Sequence, residues 1–153
     1  MEIQDLIKKA SLQKVNEKAI DFTLPDIDGN NITLSSLKGK VVVINFFAEW
    51  CGPCKSEMPS LQRMYDRCKE SDFVFLAINI GDPPQEAKNY AEKAELTFPI
   101  LCDKDSSVAA SYGAQSIPLT YIIDKTGTVV AGGVGARSWD KPAIYDILDA
   151  LLA

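Results

Sequence analysis

The sequence predicts an α/β protein with a central mixed sheet flanked by helices on both faces. Two apolar runs rich in β-branched or aromatic residues, 41–47 and 73–80, are typical of strands buried on both faces. A segment with helical spacing follows each run, and the chain closes with two strand-like segments and a last helical one. Strands and helices that alternate and then end in a hairpin are expected to form one sheet with covered faces.

The length and the charge of the chain narrow its class. A chain of 153 residues is long enough for one domain that needs neither a metal nor a disulfide in order to fold. The formal net charge is −5 and no stretch is rich in Lys or Arg, so nucleic acid and anionic membrane surfaces are not expected as partners. No uninterrupted apolar run approaches the length of a membrane-spanning helix. We expect a monomer without an integral membrane segment.

The first 40 residues predict a short helix and a hairpin. Residues 1–16 carry apolar side chains at helical spacing, interrupted by acids, which indicates an amphipathic helix rather than a signal peptide. The segments 22–24 and 32–34 alternate between apolar and polar residues around a turn at Asp28-Gly29. This pattern is typical of a β-hairpin.

The remaining elements follow from the same two periodicities. Apolar residues at positions 58, 61, 65 and 68 predict a helix directly after the first buried strand. The other predicted elements are a strand over 73–80, a helix over 84–94, a strand over 98–101, a helix over 106–112, strands over 119–124 and 128–134, and a helix over 139–152.

The stretch Trp50-Cys51-Gly52-Pro53-Cys54 lies where the first buried strand turns into a helix. Two thiols two residues apart at such a place form a dithiol/disulfide switch. Because the start of a helix has unpaired N–H groups and the positive end of the helix dipole, it favours the thiolate of Cys51. Pro53 suits the first turn, and Gly52 lets the backbone of a partner approach closely. Cys54 is expected to point inward and to act as the resolving thiol.

A metal site is the alternative interpretation of the motif. Half of a zinc site needs two further ligands, usually Cys or His, but the chain has no His and its other cysteines, Cys68 and Cys102, are single and far apart. Zinc and copper sites are therefore not expected, and no cofactor is predicted. Cys68 lies on the apolar stripe of the helix and Cys102 ends a strand, so both are expected to be buried thiols. A Cys68–Cys102 disulfide is not needed by a domain of this size.

Several segments occur in an order that a known family shares. They are 19–24 with Asp28-Gly29, Leu37-Lys38-Gly39-Lys40, the cysteine motif with Glu57-Met58-Pro59, Ile117-Pro118, and 121–124 with Gly127. Together they resemble the thioredoxin superfamily and, within it, the TlpA/ResA-like thiol-disulfide reductases. The resemblance implies a thioredoxin-like domain over 19–153, with an N-terminal β-hairpin and a helix-strand insertion at about 83–113. An N-terminal helical extension over 1–18 precedes it.

The resemblance also implies a surface that binds the substrate. Pro118 matches the family's cis-proline, which lies against the cysteine motif, and Ile117 would offer main-chain hydrogen bonds to an extended partner strand. Trp50 is expected to shield the disulfide and, with Gly52 and Pro53, to contact partners. The alternatives are that Pro118 merely begins an edge strand and that Trp50 packs in the core.

Glu57 is the candidate proton acceptor. It follows Cys54 by three residues, so both lie on one helix face, and related reductases have a Glu at this place. Asn45 stands where thioredoxin itself has a buried Asp, and an amide cannot accept and release that proton. The alternative is that Glu57 is a surface acid that stabilises the start of the helix.

These residues predict an enzyme, a protein thiol-disulfide oxidoreductase that cycles Cys51 and Cys54 between dithiol and disulfide. The Gly-Pro spacer between the cysteines matches that of thioredoxin and favours a reductase of disulfide-bearing proteins. An upstream electron donor would then reduce the Cys51–Cys54 disulfide again. The alternatives are a peroxiredoxin-like peroxidase, a disulfide oxidant or isomerase, and a non-catalytic adaptor. Peroxidases of that class have a Thr three residues before the reactive Cys, and this chain has Ala48 at that position.

The compartment and the cellular role are expectations from the resemblance alone. It implies the periplasm or cell envelope, with the cytoplasm as the alternative. It is compatible with cell redox homeostasis, antioxidant activity and cytochrome c maturation, and it does not single out a partner.

Overall fold

The structure, a computed structural model, describes residues 1–153. In chain order the elements are α1 (Ile3–Lys9), β1 (Gln13–Lys18), β2 (Thr23–Pro25), β3 (Asn31–Thr33), β4 (Val41–Phe47), α2 (Gly52–Cys68), β5 (Phe73–Ile80), α3 (Pro84–Lys93), β6 (Ile100–Asp103), α4 (Ser107–Ser111), β7 (Leu119–Ile123), β8 (Thr128–Val134) and α5 (Pro142–Leu152). A short 3₁₀ helix spans Leu34–Leu37.

Six strands form one mixed sheet in the order β1-β8-β7-β4-β5-β6. The strands β4, β5 and β6 run parallel, whereas β7 is antiparallel to β4, β8 to β7 and β1 to β8. The strands β2 and β3 form a separate antiparallel hairpin. The predicted fold class, a mixed sheet with an N-terminal hairpin, is confirmed.

The central strand β4 is buried along its whole length, and its side chains alternate between the two halves of the core. Val43 and Phe47 pack on the side that α1, α2 and α5 cover. Ile44 and Phe46 pack on the other side, with side chains from the hairpin and α4. Because both faces are covered, an apolar run with no polar alternation is what this position requires.

The edge strand β1 was not foreseen. The sequence predicted one helix over 1–16, whereas α1 ends at Lys9 and β1 begins at Gln13 and pairs with β8. Within β1 only Val15 is partly buried. A polar strand at the edge of a sheet carries little apolar alternation, so it leaves little signal in the sequence.

Two other elements differ from the prediction by more than one residue. The strand predicted over 98–101 begins at Ile100, because Pro99 has no N–H to give to the ladder with β5. The last helix begins at Pro142 rather than at Trp139. Lys141 is extended, as residues before a proline tend to be, so the chain enters the helix only after it.

The predicted extension and insertion contain regular elements. Residues 1–18 include α1 and β1, and β1 adds an edge strand to the sheet. Residues 83–113 contain α3, β6 and α4, and β6 is the opposite edge strand. The division into an extension and a domain stays a prediction. None of the helices has both the length and the apolar character needed to cross a membrane.

Candidate active site

The two motif cysteines lie where β4 leads into α2, and they form a disulfide. Cys51 is the N-cap residue of α2, and its Sγ accepts a hydrogen bond from the backbone N–H of Cys54 at 3.2 Å. The side chain of Cys51 is almost covered, with 6% of the residue exposed, whereas Cys54 is completely buried. The predicted strand-to-helix placement is therefore confirmed, and Cys51 is the sulfur closer to solvent.

The loop between α4 and β7 meets the disulfide from another part of the chain. The Ile117–Pro118 peptide bond is cis, as the resemblance implies. The carbonyl oxygen of Ile117 lies 3.9 Å from the Sγ of Cys51. The fold thus brings the Ile117 carbonyl, just before the cis-proline, against the cysteine that is nearer the surface.

The surface around Cys51 is apolar and open. Trp50 is 75% exposed, so it does not fill the core, and Gly52 and Pro53 are exposed beside it. On the other side of the Ile117–Pro118 loop, Val134 is 60% exposed. Val134 was not among the predicted site residues, because its position depends on the pairing of β8 with β7.

Glu57 lies beneath the surface with only 2% of the residue exposed, so the alternative of a solvated surface acid is wrong. Its Oε1 accepts a hydrogen bond from Asn45 Nδ2 at 2.8 Å, and its Oε2 accepts from Trp139 Nε1 at 2.9 Å and from the backbone N–H of Arg137 at 3.2 Å. Burial raises the pKa of Glu57 above its ordinary value, and the three donors oppose that rise only in part. A buried carboxyl whose pKa is raised accepts a proton more readily than a solvated one, which makes Glu57 a candidate proton acceptor.

Asn45 connects this carboxylate to the sheet. Its Nδ2 also donates to Thr120 Oγ1 at 2.9 Å, and the residue is completely buried. The amide thus keeps Glu57 in place, although it cannot take up a proton itself.

Arg137 holds the loop that covers Glu57. Its Nη1 donates to the backbone oxygen of Ser11 at 3.0 Å, and its guanidinium lies over the ring of Trp139. No sequence pattern pointed to Trp139, Arg137 or Thr120 as residues of this site. Trp139 was placed at the start of the last helix, and the contacts of all three with this site join residues far apart in the sequence.

The other two cysteines are free and buried. Burial raises the pKa of both the Cys68 and the Cys102 thiol, which keeps them protonated and unreactive. The expectation of two buried thiols without a mutual disulfide is confirmed.

Comparisons with known proteins agree with this geometry. A model of the AhpC/TSA family matches residues 15–131, which is well over half of the chain. The chain belongs to the AhpC/TSA family. This membership, together with the relatives below, confirms the predicted link to thioredoxin-fold proteins and to thiol-disulfide oxidoreductases.

Two relatives of this AhpC/TSA family protein carry the name thiol-disulfide oxidoreductase ResA. The protein from Halalkalibacterium halodurans is 35% identical over 128 residues, covering 84% of this chain and 73% of the relative. The protein from Geobacillus thermodenitrificans is 38% identical over 115 residues, covering 75% of this chain. The match spans 66% of the length of the Geobacillus protein, slightly under two thirds.

A solved structure supports the fold. The crystal structure of a candidate thiol:disulfide interchange protein DsbE from Chlorobium tepidum superimposes with a TM-score of 0.82 at 32% identity. It covers 93% of this AhpC/TSA family chain and 99% of its own. The predicted thioredoxin fold is therefore confirmed over nearly the whole chain.

Proposed function

We propose that this protein is a thiol-disulfide oxidoreductase that reduces disulfides in partner proteins. The observation that carries the proposal is the Cys51–Cys54 disulfide at the start of α2, in which only the sulfur of Cys51 approaches the surface. The names of the relatives support the same activity.

The proposed cycle moves two electrons from the protein to its partner. The Cys51 thiolate attacks one sulfur of the partner disulfide, which forms a mixed disulfide and releases the other sulfur as a thiolate. Cys54 then loses its proton and attacks the Sγ of Cys51. This step reforms the Cys51–Cys54 bond and frees the second partner thiol. An upstream dithiol donor reduces the protein again by the reverse exchange.

We propose that Glu57 receives the proton of Cys54. The two residues are three positions apart on α2, and both are buried. Bulk water does not reach a completely buried thiol, so an internal acceptor is needed for its deprotonation. The raised pKa of Glu57 makes this carboxylate a stronger acceptor for that proton than a solvated carboxylate would be.

We propose that the partner contacts a surface formed by five residues around Cys51: Trp50, Gly52, Pro53, Ile117 and Pro118. The carbonyl oxygen of Ile117 lies 3.9 Å from the Sγ of Cys51. An extended partner strand that pairs with this backbone would be held mainly by main-chain hydrogen bonds, which suits several partners. An extracytoplasmic location in the periplasm or cell envelope is a proposal that rests on the resemblance. A monomeric state is proposed as the default.

A peroxidase is the second candidate function, because the family match is also compatible with the peroxiredoxin class. The residue three positions before Cys51 argues against it. Ala48 is completely buried there and has no hydroxyl to offer to a peroxide.

An insulin assay separates the two functions. With dithiothreitol as the electron donor, catalytic amounts of the protein are expected to accelerate the reduction of insulin, measured as precipitation of the B chain. Consumption of hydrogen peroxide is expected to stay at the background rate. A sample with both motif thiols alkylated is the control. Peroxide turnover without insulin reduction would reverse the assignment.

A further inference from the structure

Few large apolar side chains are exposed on this protein, and two of them mark the ends of one groove. The four exposed ones are Met1, Ile20, Trp50 and Val134. Trp50 adjoins Cys51 in the sequence. Val134 and Ile20 lie at opposite ends of a depression along the last strands of the sheet.

The depression consists of two adjoining cavities with volumes of about 400 and 260 Å³, which share Val15 and Tyr121 in their walls. We call it the β8 groove. From the end at the active site to the far end, its apolar lining includes Val134, Leu119, Val15, Tyr121, Val129 and Ile20.

The walls of the β8 groove are fixed by specific contacts. Tyr121 packs over Gly132, where a Cβ atom would fall 2.7 Å from the ring, so the glycine makes room for this side chain. The hydroxyl of Tyr121 donates a hydrogen bond to the backbone oxygen of Tyr112 at 3.1 Å. The hydroxyl of Tyr112 in turn donates to the backbone oxygen of Ile20 at 2.6 Å. Because these contacts already order the walls of the groove, little conformational entropy is lost there when a ligand binds.

The near end of the β8 groove lies next to the cis-proline loop of the candidate active site. Leu119, which follows Pro118, pairs with Val134 in the sheet. The backbone N–H of Gly135 donates to the carbonyl oxygen of Pro118 at 2.8 Å. The groove therefore begins at Leu119 and Val134, next to the loop whose Ile117 carbonyl lies beside Cys51.

We propose that the β8 groove binds an extended apolar segment of the disulfide-bearing partner, adjacent in sequence to its reacting cysteine. The inference rests on the proposed reductase function and adds a feature of its substrate. From Val134 to Val129 the groove follows five residue steps of about 3.4 Å, or about 17 Å, which five or six residues of extended chain would fill. Polar side chains at the rim carry both charges, on Glu17, Lys18 and Arg137, so the groove favours an uncharged segment.

Two peptide disulfides test this proposal. Each is a ten-residue peptide with one cysteine joined by a disulfide to glutathione. In one peptide the five residues beside the cysteine are alternating Val and Thr, and in the other they are Ser and Gln. The wild-type protein is expected to reduce the apolar peptide with about tenfold higher kcat/KM, a difference of about 1.4 kcal/mol.

Ile20→Glu is expected to remove most of this preference by placing a charge at the far end of the groove, and Ile20→Ser tests the same contact without a charge. Gln4→Glu adds the same charge on the exposed surface of α1, outside the groove, and is expected to keep the preference. Circular dichroism checks that each variant is folded.

The outcomes separate this inference from the function on which it rests. Equal kcat/KM for both peptides in the wild type, with both reduced, would overturn the groove and leave the reductase intact. Failure to reduce either peptide would overturn both. A wild-type dimer that becomes a monomer on Ile20→Glu in sedimentation experiments would assign the groove to a second copy of the chain and would also overturn the proposal.

Discussion

Cys51→Ser is expected to reduce insulin turnover to the background rate, whereas Cys54→Ser is expected to stop after the first attack. The reason is the unequal burial of the two sulfurs, since Cys54 is completely covered and Cys51 reaches the surface beside Trp50. Without Cys54 no thiol resolves the mixed disulfide, so the Cys54→Ser protein accumulates covalently bound to an insulin chain. Mass spectrometry of the non-reduced sample measures this adduct.

Cys68→Ala is the matched control for these variants. It removes a buried free thiol at the opposite end of α2 and is expected to keep turnover as long as the protein stays folded. An adduct that forms with Cys51→Ser but not with Cys54→Ser would reverse the roles of the two cysteines.

Glu57→Gln is expected to slow turnover by about 10²-fold, the lower end of what a positioned general base contributes. The glutamine keeps the size of the side chain and loses the ability to take a proton from Cys54. The wild-type rate should rise with pH as Glu57 ionises through its raised pKa, and this inflection should be absent in the variant. Rates of insulin reduction between pH 5 and pH 9 test both statements.

Glu70→Gln is the control, because Glu70 is an exposed carboxylate just beyond the C-terminal end of the same helix. It is expected to leave the rate and its pH profile unchanged. Unchanged turnover in a folded Glu57→Gln protein would contradict the proposed proton transfer.

The stability of the fold gives a second readout for Glu57. A carboxyl whose pKa is raised by folding favours the folded state most below its unfolded pKa of about 4.5, and this contribution is lost as the pH rises through the folded pKa. The free energy of unfolding of the wild type, taken relative to Glu57→Gln, should therefore decrease as the pH rises above about 4.5. Urea denaturation at several pH values measures this difference.

The parts of the fold that sequence reasoning found are those with strong apolar periodicity. The strands β4 and β5 were placed at their observed bounds, because each is a continuous apolar run covered on both faces. The strand β1 was missed because only Val15 in it is partly buried, so tertiary pairing with β8 rather than local pattern makes it a strand.

The residues of the site likewise differ in how far a local sequence pattern revealed them. Cys51 and Cys54 were found because their spacing and position in the chain carry the chemistry. The spacing in α2 put Glu57 on the face of the inward-pointing Cys54, but it did not reveal the hydrogen bond with Trp139, whose indole reaches back across 82 positions of sequence. The spacing within one helix does not reveal such a contact.

The reduction potential of the Cys51–Cys54 couple tests the central claim most directly. It is measured at neutral pH by equilibration with a series of dithiothreitol or glutathione buffers. A reductase is expected to have a value near about −270 mV, the value typical of thioredoxin. A value between about −120 and −180 mV would identify an oxidant or isomerase and contradict the account.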